Sequence, residues 1–303
     1  MYRVLRFSEN PMIHPGMDER IGTNINGPSI IRVPDWVSRP LGRYYLYFAS
    51  HHGTFIRMAF AENVRGPWTL YRDGVLDLKQ TCCVNHIASP DVHVLGAQKK
   101  IIMYFHGCVP EGQRTLYALS GNGIEFQASS KIMGPFYLKA FPYRNAWYAL
   151  AKTTEAPGGG VLLRSEDGIS EFEPGQDLLP MQRHVAVLRT GYCLEIFYTR
   201  GQDCPERILL STMSLERDWK EWKPTDPVDL MDPKMEYEGG FLPLGVSRFG
   251  AIDRPVRELR DPAILREEDR LYLLYCASGE GSICGAELNV CEYLQLKRQG
   301  GRR

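Results

Sequence analysis

The chain has 303 residues, with 36 basic and 36 acidic side chains and a formal net charge of zero at pH 7. Nucleic acids and acidic membrane surfaces select a basic excess, so this balance argues against either as the main partner. The first residues lack the apolar core of a secretory signal, and no apolar run reaches the roughly 18 residues that a membrane span needs. The sequence therefore predicts a cytoplasmic protein and leaves its oligomeric state open.

Short β-rich runs recur along the chain and are separated by turns rich in Gly, Pro, Asn and Asp, which is typical of strands in an all-β protein. The most regular runs lie at 44–50, 101–106, 146–151, 194–199 and 271–276. A further run follows each of them, at 56–61, 113–120, 161–165, 208–213 and 282–288. Residues 66–70 and 123–126 have the pattern of outer fourth strands. The sequence thus predicts five similar units of three to four strands.

A first run precedes each pair, and four of these runs share an X-Pro dipeptide: Gly27-Pro28, Ser89-Pro90, Gly134-Pro135 and Asp261-Pro262. Proline suits the start of a strand, where no ladder donor is needed. The remaining first run begins at Arg183-His184. Five units at a spacing of about sixty residues predict one domain over residues 1–303, a single five-bladed β-propeller, with a β-sandwich or several small β domains as the alternatives. Residues 225–260 carry no clear strand pair and are expected to form a functional or disordered loop.

The first unit resembles the first blade of known five-bladed propeller glycoside hydrolases. The resemblance rests on residues 26–33, on Gly42-Arg43-Tyr44 and on Gly66-Pro67-Trp68, and residues 89–92 and 260–264 are similar to other blade motifs of the group. The group includes the arabinanase and xylosidase type (family 43) and the anhydro-galactosidase type (family 117). The resemblance implies an enzyme that hydrolyses O-glycosyl bonds of a carbohydrate held in the central pocket.

The first blade departs from this resemblance at one position. In the family 43 pattern an Asp stands before the first-blade proline and acts as the general base, whereas this chain has Gly27 there. Another carboxylate then takes over the role, or the chemistry differs, or the protein only binds its sugar.

Three carboxylates are the catalytic candidates, because glycoside hydrolysis normally uses a pair of them. Asp91 matches a family Asp that orients the acid, and it is also a candidate base. Asp261 matches the position of the missing base, one blade around the ring. Glu238, in a Glu-Gly context, resembles the general acid of the family, and Tyr237 and Phe241 are expected to form an apolar wall that raises its pKa.

Polar residues near the strand starts are the substrate-binding candidates. Arginines in a pocket recognise carboxylate, sulfate or phosphate groups with a bidentate fork, and imidazoles bind sugar hydroxyls or act as acids. The predicted binding residues are Asn24, Asn26, His51, Arg57, His86, His106, Arg183, His184 and Arg260.

No cofactor is expected to be required, and a bound Ca²⁺ or other ion in the central channel is left open. The eight cysteines form no CxxC pair, so the sequence predicts no structural zinc site. Three functions remain open: a glycoside hydrolase, a phosphate-dependent glycoside phosphorylase of the kind found in another propeller family (family 130), and a non-catalytic carbohydrate-binding propeller.

Overall fold

Five four-stranded antiparallel sheets contain all the strands of the computed structural model, which describes residues 2–153 and 158–290. Each sheet is one blade, and the innermost strands of neighbouring blades contact each other around a central channel. The expected five-bladed β-propeller is confirmed. The described residues contain no α-helix, and no helix among them is long and apolar enough to cross a membrane.

The strands follow one another outwards from the channel within each blade. Blade 1 contains β2 (Asn26–Arg32), β3 (Tyr44–Ala49), β4 (Phe55–Ala61) and β5 (Thr69–Asp77). Blade 2 contains β6 (Ile87–Leu95), β7 (Lys100–Val109), β8 (Gly112–Ser120) and β9 (Gln127–Ala128). Blade 3 contains β10 (Lys139–Tyr143), β11 (Ala146–Lys152), β12 (Gly160–Ser165) and β13 (Glu173–Leu178). Blade 4 contains β14 (Gln182–Thr190), β15 (Cys193–Arg200), β16 (Ile208–Ser214) and β17 (Val228–Met231).

Blade 5 is completed by the N-terminal strand. It contains β18 (Leu259–Glu267), β19 (Arg270–Ala277), β20 (Ser282–Val290) and, outermost, β1 (Tyr2–Arg6). The antiparallel β1–β20 register runs from Tyr2 opposite Val290 to Arg6 opposite Ala286. The first and last strands of the chain, β1 and β20, therefore close the ring by pairing with each other. Short 3-10 turns lie at Pro15–Met17, Glu19–Ile21, Leu78–Gln80, Gly96–Gln98, Trp219–Glu221 and Glu236–Glu238.

The second strand of each blade is buried on both faces, because one face packs on each neighbouring blade. All six residues of β3 are buried, and the side chains of Tyr45 and Tyr47 pack with Met103 and Phe105 of blade 2. A strand covered on both faces has a nearly continuous apolar sequence rather than an alternating one. This is why the second runs are the clearest strand signals in the sequence.

Bulges at the X-Pro dipeptides shape the channel mouth. Gly27, Ser89 and Asp261 have φ values of +61°, +47° and +47°, and the ladder register shifts at each of them. A Cβ on Gly27 would lie 2.8 Å from the Ser89 Cα, so only glycine fits there without a backbone shift. Packing of blade 1 against blade 2 therefore excludes an Asp at the position where the family base normally stands.

Two predicted strands lie elsewhere. Blade 3 was expected to begin with residues 134–138, but its inner strand starts at Lys139, after a left-handed residue, Tyr137, at φ +58°. Gly134 instead makes an isolated bridge to Thr115 of blade 2. The fourth strand predicted at 123–126 follows that run, as Gln127–Ala128. In both cases the strand is preceded by a Gly-containing turn. The turn is as apolar as the strand itself, so the sequence pattern did not distinguish the two.

Candidate functional site

A buried cluster of opposite charges lies at the channel mouth, where the inner strands of blades 4 and 5 begin. Arg260 donates from Nε to Glu258 at 2.8 Å and from Nη1 to Glu280 at 3.0 Å. Glu206 lies 3.7 Å from the Nε atoms of both Arg183 and Arg260. All five residues are at most 6% exposed. Charges that are this deeply buried persist only when they are paired, and here each guanidinium faces at least two carboxylates.

Blade 1 contributes polar side chains to the same cluster. The Nδ2 atoms of Asn24 and Asn26 lie 2.7 and 3.3 Å from Glu280 Oε2, and His51 Nδ1 lies 3.5 Å from it. Asn24 Oδ1 accepts from the His51 backbone N–H at 2.7 Å. The asparagines were predicted to bind sugar hydroxyls, and in the structure their amides are directed at this carboxylate.

The Asp261 carboxylate lies beside Gly27, the position at which the family base is missing. Its Oδ2 accepts the Gly27 backbone N–H at 3.0 Å, and its Oδ1 contacts Nδ1 of His184. Asp261 and His184 are 3% and 7% exposed. A blade 5 side chain therefore reaches the start of the blade 1 inner strand, at the position where the resemblance requires a base.

The buried carboxylates differ in the direction of their pKa shifts. Burial raises the pKa of Glu206, and the charges of Arg183 and Arg260 only partly offset it. Burial also acts to raise the pKa of Asp261, but His184, the Gly27 N–H and Arg183 outweigh it, and the pKa lies below its ordinary value. The largest of the lowering contributions is the charge of the His184 imidazole, and the Gly27 N–H adds a hydrogen bond that favours the ionised carboxylate. One carboxyl group is thus biased towards the acid form and another towards the base form.

A row of rings continues the site around the mouth. His86 Nε2 lies 3.2 Å from His106 Nε2, and the ring centroids of His106 and Tyr137 are 4.6 Å apart. The Tyr137 ring is 4.4 Å from that of His184, which contacts Asp261. Burial lowers the pKa of His86 and His106, so these two act as neutral hydrogen-bonding groups at pH 7. Burial also lowers the pKa of His184, although the Asp261 carboxylate acts to raise it.

The long loop of residues 239–258, here named the capping loop, covers the cluster. The Arg183 guanidinium donates to the carbonyl oxygens of Arg248 and Gly250, and Asn24 Nδ2 donates to Ile252 O at 3.3 Å. The Lys152 ammonium lies 4.1 Å from the Phe249 ring centroid. The predicted stretch without strand pairs, residues 225–260, contains the short strand β17 near its start. Its later part forms a cap that the buried arginines attach to the channel mouth.

A cavity of about 850 Å³ lies along the capping loop. Its lining extends from exposed residues such as Leu244 and Val246 to the buried Glu258 and Arg260 of the charge cluster. Its volume is within the range of small-molecule sites, about 300–1,000 Å³. We name it the loop cavity.

Asp91 lies on a different level of the channel. It contacts His93 Nε2 at 2.7 Å and Lys139 Nζ at 3.6 Å and accepts the Ala140 N–H at 2.9 Å. Burial acts to raise its pKa, but the His93 and Lys139 charges outweigh this and lower it. With these residues Asp91 lines a separate channel cavity of about 380 Å³.

The structure does not bring Glu238 to this site. Its carboxylate is fully buried and accepts from Arg6 Nε at 2.7 Å, from Tyr275 Oη at 2.8 Å and from the Lys234 and Met235 N–H groups. It thereby anchors β1 to blade 5. The general-acid role of Glu238 stays a prediction, and in the structure its carboxylate accepts five hydrogen bonds away from the charge cluster. The apolar wall expected from Phe241 is also absent, because that side chain is 83% exposed.

Arg57 lies beside the cluster rather than in it. Its Nη1 donates to the Asn24 carbonyl at 3.2 Å, and burial lowers its pKa to about 10. It lines a small cavity with Ile21, Phe55 and Tyr71.

Three carboxylates of the cluster were missed at the sequence level: Glu206, Glu258 and Glu280. Glu258 lies two residues before Arg260 and therefore points to the same side of an extended chain, which was an available signal. Glu206 and Glu280 lie in loops and reach the cluster only through the fold. Among the described residues, no group of three or more His, Cys, Asp or Glu side chains is arranged to hold a metal ion.

Comparisons with known proteins agree with the fold. No family model matches the sequence. The uncharacterized protein R118 of Acanthamoeba polyphaga mimivirus is 32% identical over 329 residues, which cover 95% of this chain and 91% of that protein. A glycosyl hydrolase from Bacteroides ovatus superposes with a TM-score of 0.70 at 10% identity, over 94% of this chain and 93% of that one.

Two further solved structures have the same architecture. The GH43_1 enzyme from Xanthomonas citri, complexed with xylose, has a TM-score of 0.63 at 13% identity, over 89% of this chain and 88% of that one. A structure of the GH130 family of mannoside phosphorylases, which contains glycoside hydrolases, has a TM-score of 0.70 at 10% identity, over 94% and 93%. At these identities the likeness concerns the fold. The chain therefore belongs to the family of mimivirus protein R118 and has the fold of the five-bladed β-propeller glycosidases.

Proposed function

We propose that the protein is a carbohydrate-active enzyme that cleaves a glycosidic bond, with Asp261 as the base and Glu206 as the acid. The observation that carries the proposal is the position of the Asp261 carboxylate. It is bonded to the Gly27 N–H, beside the position where the resemblance places a base that this chain lacks. The fold alone would not support an activity, because one fold serves many functions.

The pKa values of the two carboxyl groups are shifted in opposite directions. The lowered pKa of Asp261 keeps it ionised, as a base requires, and the raised pKa of Glu206 favours the protonated form, as an acid requires. Arg183 lies next to Glu206 and also acts on Asp261, so one guanidinium links the pair. His184 holds the Asp261 carboxylate and acts as a positioning residue.

Asp91 is a weaker candidate for the base. Its carboxylate already contacts His93, Lys139 and the Ala140 N–H, so it is committed within the channel wall. We assign it the role of fixing the inner strands of blades 2 and 3 to each other. The loop cavity supplies the route for the sugar, because it reaches the Glu258 and Arg260 side chains that border the pair.

The proposal is tested with a panel of aryl arabinofuranosides, xylosides, galactosides and mannosides, with and without phosphate. We expect Asp261→Asn and Glu206→Gln each to lower kcat by about 10²- to 10⁴-fold. Asp269→Asn is the matched control, because Asp269 is exposed in the hairpin turn at the opposite end of β18. Loss of the alkaline limb of the pH profile in Glu206→Gln separates an acid role from a structural one.

Either of two results would contradict this assignment. Turnover that survives Asp261→Asn in folded protein excludes Asp261 as the base. Strict dependence on phosphate, with a sugar phosphate as product, makes the enzyme a phosphorylase rather than a hydrolase.

A further inference from the structure

The loop cavity has an uncompensated positive lining. Four guanidinium groups line it, from Arg248, Arg254, Arg257 and Arg260, against the single carboxylate of Glu258. This leaves an excess of three positive charges in a chain whose total charge is zero. Because Arg260 is already bonded to Glu258, the excess belongs to the other three arginines.

These three arginines have no acidic partner within the part of the chain that the structure describes. Arg257 donates only to the Pro233 carbonyl, at 3.3 Å, and no carboxylate pairs with Arg248 or Arg254. Elsewhere on the surface, arginines such as Arg43 and Arg207 do pair with carboxylates, at 2.8 Å each. Three arginines without a carboxylate partner around one cavity favour a ligand that brings its own negative charge.

The cavity also has apolar walls. Leu242, Phe249, Ile252 and Val256 line it beside the arginines. An apolar wall suits the C–H face of a sugar ring, whereas the guanidinium fork suits the paired oxygens of a carboxylate, sulfate or phosphate. The combination fits a sugar with an attached oxyanion better than a free inorganic ion, which would leave the apolar walls uncovered.

We propose that the loop cavity binds an oxyanionic group carried by the sugar substrate, so that the substrate class is acidic or esterified glycosides. This inference rests on the proposed function, because the bound sugar is a substrate only if the protein is an enzyme. The binding itself requires no turnover. The capping loop then has a second task besides covering the charge cluster: it selects the charge of the sugar.

Binding is measured by titration calorimetry with D-galactose, D-galacturonate, D-galactose 6-sulfate, inorganic sulfate and inorganic phosphate at low and high salt. We expect the two anionic sugars to bind at least about ten-fold more tightly than galactose at low salt, and salt to reduce this difference. The double variant Arg248→Gln/Arg254→Gln should lose the preference. Both side chains are exposed. Residue 248 attaches the capping loop to Arg183 through its backbone carbonyl, which the substitution leaves in place, so the fold should be kept.

Arg217→Gln is the matched control, since that arginine is 82% exposed on the outer edge of blade 4. Equal binding of galactose and the anionic sugars overturns the proposal, as does an equal loss of the preference in Arg217→Gln. Inorganic sulfate that binds as tightly as the sulfated sugar, or phosphate that is consumed in turnover, also overturns it. Asp261→Asn should retain the preference, so anion binding without turnover counts against the proposed function alone.

Discussion

Replacement of Glu238 tests whether this carboxylate closes the propeller or catalyses a reaction. Glu238→Gln keeps the shape of the side chain but removes the charge that Arg6 Nε approaches at 2.7 Å. It also sets an amide N–H₂ against donors from Arg6, Tyr275 and two backbone N–H groups. The variant therefore leaves the partly buried Arg6 charge without its carboxylate and at least one N–H without an acceptor.

The expected cost follows from the burial of the pair. Breaking a buried ion pair on one side costs about 3–5 kcal/mol. The Arg6 side chain is 20% exposed, and solvent weakens the ion pair, so we take the lower end of this range, about 3 kcal/mol. At about 2.1 cal/mol/K of unfolding entropy per residue, a domain of 303 residues shifts by about 1.6 °C per kcal/mol, so the melting temperature should fall by about 5 °C.

Melting is followed by circular dichroism for the parent protein, Glu238→Gln and Glu236→Gln. Glu236 is the matched control because it is exposed in the same 3-10 turn, and its replacement should shift the melting temperature by less than about 2 °C. Any glycosidase activity should persist in folded Glu238→Gln. A variant with unchanged melting but no activity would refute this reasoning and return Glu238 to the list of catalytic groups.

Two further predictions concern stability. The pKa of Glu280 lies at about 2, below its ordinary 4.5, so the stability that this carboxylate contributes is present above pH 4.5 and is lost as the pH falls towards 2. The melting temperature of the parent protein should therefore drop more steeply over this range than that of Glu280→Gln, and parallel curves would contradict the role of the cluster. Gly27→Ala should destabilise by about 1–3 kcal/mol in urea unfolding, because its Cβ would lie 2.8 Å from the Ser89 Cα at φ +61°. Gly96→Ala, with no atom within 4 Å of its Cβ, is the control, and equal effects of the two changes would disprove the steric explanation.

Several residues of the site were predictable because they lie next to recognisable strand-start signals in the sequence. Arg183, His184, Arg260 and Asp261 all lie at starts of inner strands, which the X-Pro dipeptides and apolar runs locate. In a propeller every inner strand begins on the same face, so residues at these positions meet at one mouth. The hypothesis that a carboxylate from a neighbouring blade takes the place of the missing base has support in the contact between Asp261 and Gly27, and activity measurements remain its test.

The partners of these residues were not predictable from local pattern. Glu206 and Glu280 are fully buried carboxylates in loops, where most glutamates are exposed. Glu238 is the converse case: its Glu-Gly context suggested a pocket acid, and only the position of β1 reveals that Arg6 is its partner. A buried charge is identified by what faces it, and that requires the coordinates of distant segments.

The sequence by itself determined the all-β class, the five units and the position of most strands, because strand burial and turn chemistry are local and repeat along the chain. Only the tertiary structure decided three features. It showed that β1 closes blade 5, that the stretch after β17 caps the mouth, and that three glutamates surround two arginines there. Each of these depends on contacts between residues far apart in the chain, whose energies are set by burial and geometry and leave no periodic signal in the order of residues.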